Sequence, residues 1–129
     1  MKGMIGFTNE FRASTKPAPI FGTHTGDLVA GFYAHSYVML AIFKDHVELA
    51  CIYTEPTWRG NGFARRTLGL LVMLAVKHHV VIWVRRVTPF DSSPLDAMLL
   101  ARWFFRHGLR VVGMGNYRQQ VAQSGMVTL

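Results

Sequence analysis

The stretch Ile52-Tyr53-Thr54-Glu55-Pro56-Thr57-Trp58-Arg59-Gly60-Asn61-Gly62-Phe63-Ala64 constrains the fold of this chain more than any other. An apolar, strand-like run ends at Pro56. Arg59-Gly60-Asn61-Gly62 then delivers the chain into a long apolar segment. A strand that ends in a Gly-rich turn and opens a helix is a unit of α/β construction. It is also a ready site for an anion. The first N–H groups of a helix have no internal partner, and the helix dipole places partial positive charge beside them. Gly60 and Gly62 let a ligand approach the backbone closely, and Arg59 and Arg65 add full charges.

Three phosphate-binding motifs compete for this segment. A Walker-type loop needs Gly-Lys-Ser/Thr before the helix, which the chain lacks. A dinucleotide fingerprint wants a small residue where Arg65 stands and an acidic residue about 20 positions on. The chain offers Trp83-Val84-Arg85-Arg86 instead. The third motif fits. Arg59-Gly60-Asn61-Gly62-Phe63-Ala64 resembles the Gln/Arg-x-x-Gly-x-Gly/Ala signature of the GNAT superfamily, the acyl-CoA N-acyltransferases. Tyr53-Thr54-Glu55-Pro56 resembles that family's lead-in, and Ala101 to Leu109 looks like its second helix with the terminal Gly.

The resemblance implies a mixed α/β (α+β) domain, with a mostly antiparallel central sheet, two splayed central strands and helices on both faces. It implies acetyl-CoA as co-substrate, with no metal. Phosphates are expected at Arg59, Gly60, Asn61, Gly62, Phe63, Ala64 and Arg65. The backbone of Ile52, Tyr53 and Thr54 is expected to pair with the pantetheine arm and polarise the thioester carbonyl. Glu48, eight residues before Pro56, stands where the family often carries a general base, and His46 lies two residues earlier on the same strand face. Phe104 occupies the position of a thiol-protonating Tyr and lacks its hydroxyl. The implied activity is acetyl transfer to a primary amine by direct attack in a ternary complex. A catalytically silent, CoA-binding or protein-interaction module is the alternative. Only about 36 residues precede Tyr37. The lid over the acceptor site is therefore expected to be reduced, or supplied by a second copy in a homodimer.

Composition agrees with one globular domain over residues 1–129: half the residues are hydrophobic and 16% are charged. The net charge of +7 suits a polyanionic cofactor, and the basic residues are scattered rather than blocked, which disfavours nucleic acid. No signal-peptide pattern opens the chain, the longest apolar run (Leu68 to Val76) is nine residues, and Cys51 is the single cysteine. These features point to a cytoplasmic protein without a membrane span.

Periodicity predicts a short strand at Met4 to Phe7, a loop from Ala13 to Gly26, and a helix near Asp27 to His35. It predicts strands at Tyr37 to Phe43 and His46 to Tyr53, joined by a Lys44-Asp45 turn. A helix of about Gly62 to His79, apolar on all sides, leads to a strand at Val80 to Val84. A second helix, Leu95 to His107, and strands at Arg110 to Met114 and Tyr117 to Val121 follow. The specificity region for the acceptor is expected in the N-terminal part and the Phe90 to Pro94 loop.

Overall fold

The computed structural model describes residues 2–22, 26–84, 102–106 and 108–111. Helix α1 spans Lys2–Ser14, followed by strands β1 (Lys16–Pro17), β2 (Asp27–Tyr33), β3 (Ser36–Ile42) and β4 (Val47–Thr54). A 3-10 turn at Pro56–Trp58 leads into helix α2 (Phe63–His78) and strand β5 (Ile82–Val84). Residues 102–106 are helical (α3) and precede β6 (Arg110–Val111). The six strands form one sheet in chain order. The pairs β1–β2, β2–β3 and β3–β4 are antiparallel, and β4–β5 and β5–β6 are parallel. The fold is thus the mixed, mostly antiparallel α+β sheet that the sequence led us to expect.

Three elements differ from that reading, the shortest being β1, which lies inside the expected Ala13 to Gly26 loop and pairs with β2. Met4 to Phe7 belongs to helix α1, not to a strand. Phe7 and Phe11, four residues apart, lie on one helix face and are both fully buried. Gly3 and Gly6 disguise the helix, since glycine is a poor helix former. Their use is tertiary: a Cβ at Gly3 would run into the His78 carbonyl, and one at Gly6 would sit 2.7 Å from His78 Nδ1. The bare backbone lets α1 lie against the end of α2. Asp27 to Tyr33 is a strand, not a helix. Leu28, Val29, Phe32 and Tyr33 fit a helical stripe, but the same residues alternate between sheet faces. Val29 and Tyr33 join the main core, whereas Leu28 packs on the opposite side.

The main core lies on one face of the sheet. It gathers Phe7 and Phe11 of α1, Leu68, Leu71 and Leu74 of α2, Val38, Leu40, Leu49 and Ile52 of the sheet, and Phe104. The middle of helix α2 is apolar on every side, as the sequence suggests, but it is not buried on every side, since Met73 and Val76 are exposed. Among the described residues both long helices cover this one face. The other face carries a smaller cluster around Tyr37, Met39 and Ala50, with Ala18 of the loop after β1 packed on it. The Tyr37 hydroxyl donates to the Pro19 carbonyl at 2.7 Å. The expectation of helices on both faces is therefore met on one face only among these residues.

The register of β4 shapes the site. Leu40 pairs with Leu49 but Met39 with Cys51, so Ala50 is the extra residue of a β-bulge. Across the other edge, β4 meets β5 only at Val47↔Ile82 and Glu48↔Trp83. Among the described residues, Leu49 to Thr54 have no ladder partner on that side. The expected Phe90 to Pro94 loop, most of the expected Leu95 to His107 helix, and the expected strand residues Val112 to Met114 and Tyr117 to Val121 lie outside the described residues. Gly108, with φ +89, follows α3 where a helix stop was expected.

Candidate functional site

The Gly-rich turn sits at the C-terminal end of β4. Gly60 and Gly62 have φ of +84 and +77, and a Cβ at either would meet nothing within 4 Å. Side-chain-bearing residues are strained in this conformation, so the turn needs glycine for its backbone while leaving open space above it. Gly62 is the N-cap of α2 and supplies no side-chain cap. The Asn61 amide donates to the Trp58 carbonyl at 3.1 Å and holds the turn closed.

The charges here run against the ordinary helix preference. The first turn of α2 holds no acidic residue, and it contains Arg65 and Arg66, both exposed. Cations at a helix N-terminus oppose the dipole by about 0.3–1 kcal/mol each. An anion bound there would reverse the sign of that interaction. Arg59 is placed differently from Arg65. Its Nε donates to the Thr54 carbonyl at 2.8 Å, and its guanidinium lies 5.4 Å from the Tyr53 ring centroid. Arg59 thus straps the turn to the end of β4. Phe63 and Ala64 are half-buried at the helix start, and Ile52 is fully buried in the main core.

An aromatic group flanks the turn. The His35 ring stacks on Trp58 at 4.1 Å and lies 4.5 Å from Phe63. Trp58 is 40% exposed, so it is a surface residue and not core. Ala34 and His35 both have positive φ, in the two-residue turn that joins β2 to β3.

At the other end of β4 the bulk of Glu48 is buried, at 3% exposure, opposite Ala41 of β3. His46 is 6% exposed. Its ring lies between Phe43, at 4.7 Å and nearly parallel, and Trp83, at 3.9 Å. Nδ1 lies 2.7 Å from Asp45 Oδ1, within hydrogen-bond length. Nε2 lies 3.7 Å from Glu48 Oε1, beyond hydrogen-bond length, and has no hydrogen-bond partner among the described residues. A buried polar atom left unmatched in this way costs about 1–3 kcal/mol. The bond from His46 holds the Asp45 carboxyl below its usual value.

The structure therefore brings His46 and Glu48 together, and it places Gly60 to Arg66 on one helix start. Asp45, Phe43 and Trp83 complete the histidine's surroundings and were not singled out from the sequence. The signal available was Asp45 next to His46 at the mouth of a hairpin, which reads equally well as turn chemistry. Phe104 is fully buried in the main core, with Trp103 at 5.4 Å, and presents no exposed surface to a cofactor. Burial raises the Cys51 thiol to about 11, which keeps it protonated and a poor nucleophile. Among the described residues, no group of three or more His, Cys, Asp or Glu side chains could hold a metal ion.

Fold and site together define a small α+β domain, in which one strand joins a buried His–Glu pair to a Gly-rich, cation-lined helix start. No family model, curated protein or solved structure matches the chain. No described helix is long and apolar enough to cross a membrane.

Proposed function

We propose that the chain is a cytoplasmic N-acetyltransferase of the GNAT kind, moving acetyl from acetyl-CoA to a primary amine. The observation that carries this reading is the start of α2. It has an uncapped helix N-terminus, two open glycines with positive φ, and two arginines where the dipole disfavours them. A polyphosphate relieves all three features at once. The part of β4 from Leu49 to Thr54, which pairs with no described strand on its β5 side, supports the rest of the ligand: backbone groups along a strand can pair with an extended amide-bearing arm. Ile52, Tyr53 and Thr54 belong to that part. Direct attack is favoured over a covalent enzyme intermediate, because the only cysteine is held as a thiol. Glu48 takes the proton that an amine loses as it attacks.

One observation favours a second reading, in which the chain binds CoA but does not turn it over. Residue 104 has no hydroxyl and is buried, so the thiolate lacks a proton donor at that position. Two measurements, binding and then turnover, test the readings. Acetyl-CoA at about 100 times its dissociation constant adds roughly 2.7 kcal/mol of stability, which a melting curve records. CoA thiol released with a panel of amines then identifies the enzyme. A melting curve unmoved by acetyl-CoA would defeat both.

A further inference from the structure

Among the described residues, His46 Nε2 is buried with no hydrogen-bond partner. Asp45 is ionised at neutral pH and its oxygens only accept, so the 2.7 Å contact requires a proton on Nδ1. In the neutral ring Nε2 then holds a lone pair, which faces Glu48 Oε1 at 3.7 Å. Two acceptors that face each other in a buried site stay apart. One added proton turns the same pair into a donor and an acceptor.

Resting on the acetyl-transfer reading, we propose that His46 Nε2 is the store for the proton that Glu48 removes from the amine, and that Asp45 is the positioning residue that keeps Nδ1 protonated. The acceptor's nitrogen bonds the acetyl carbon while the thioester C–S bond breaks and CoA leaves as its thiolate, and the proton lost from the acceptor's N–H passes to the Glu48 carboxylate. The new carboxyl group donates it to Nε2, which leaves Glu48 ionised again and His46 an imidazolium. That cation lies between the carboxylates of Glu48 and Asp45 and against the faces of Phe43 and Trp83, which attract positive charge. When the products leave, the proton returns through Glu48 to water. The Asp45 side chain is 80% exposed, so it can be changed without opening the core.

The test begins on the free protein, with nitrogen NMR of the His46 ring. The expected resting form has hydrogen on Nδ1 and a bare Nε2. Asp45→Ala should shift the ring toward a mixture of tautomers, and Asp45→Asn, which keeps an acceptor oxygen, should preserve the native form. In the acetyl-transfer assay Asp45→Ala should lower kcat about tenfold, with the KM for acetyl-CoA unchanged; that is less than the roughly 10²–10⁴ lost with a base itself. Asp45→Asn should recover part of the loss. A ring with bare Nδ1, or a tautomer that Asp45→Ala does not move, overturns the positioning role even in an active enzyme. Full activity in Asp45→Ala overturns it equally. A chain that does not bind acetyl-CoA fails at the transfer reading instead, and the proton-store role falls with it while the tautomer result stands alone.

Discussion

Single residues carry opposite lessons at positions 62 and 104. Gly62 has open space around it, so a side chain there costs only backbone strain, about 1–2 kcal/mol for leaving the left-handed region to a non-glycine residue. Phe104 is fully buried. Phe104→Tyr restores a hydroxyl at the position where the resembled family carries one, but it would be inserted into the main core. We expect a loss of about 1–3 kcal/mol in denaturant unfolding, the cost of an unpaired buried hydroxyl, and no gain in any acetyl-transfer rate. A faster enzyme of unchanged stability would show that residue 104 faces the cofactor. The glycines were legible in the sequence because the Arg-Gly-Asn-Gly pattern has few other uses. The burial of Phe104 was not, because the same helix pattern serves a core wall and a cleft wall.

At the scale of elements, helix α2 has a terminus whose charge suits a ligand rather than the helix. Arg65→Glu should make the unliganded protein more stable by about 0.3–1 kcal/mol, since an acidic residue in the first turn agrees with the dipole. The same change should weaken acetyl-CoA binding and shrink the ligand's effect on the melting temperature. Equal ligand shifts in the altered and unaltered chains would place the phosphates elsewhere. The other end of α2 is tied to α1. Glu10 accepts from Lys77 at 2.9 Å and from His78 at 2.8 Å, and these bonds, that of Lys77 first, lower its carboxyl below the usual value. A depressed folded value means stability that is present above the unfolded carboxylate's range and lost as pH falls through the folded one. Glu10→Gln should therefore melt lower than the unaltered chain at neutral pH. The gap should close in acid, below the range where carboxylates titrate, as thermal scans across pH can follow. Here the sequence was only partly readable. β3, β4, α2 and β5 appear where periodicity put them, because strong apolar runs met clear turns. α1 was hidden by two glycines whose role is contact with His78, a residue about 70 positions away. β2 was hidden because its apolar pairs fit both periods.

For the molecule as a whole, the decisive quantity is the separation of its two candidate regions. Glu48 and Thr54 lie six residues apart on one strand, about 20 Å at some 3.3 Å per residue. A free phosphate or a small amine reaches one region only. A ligand with a phosphate end, a long amide-bearing arm and a reactive tip spans both, which is the reason to prefer acetyl-CoA over a simpler anion. That separation yields a test in which each half of the site is altered alone. Glu48→Gln keeps the size of a buried side chain while removing its charge, and should lower kcat by about 10²–10⁴ with the acetyl-CoA dissociation constant nearly unchanged. Arg65→Glu should do the reverse, raising the dissociation constant while the rate at saturating cofactor is largely kept. Groups so far apart, with no shared partner, should act independently, so the double variant should show the sum of the two effects within about 0.3–0.5 kcal/mol. A Glu48→Gln enzyme of full activity would remove the base and leave only positioning by β4. A strong departure from additivity would mean that the two regions do not hold opposite ends of one extended ligand.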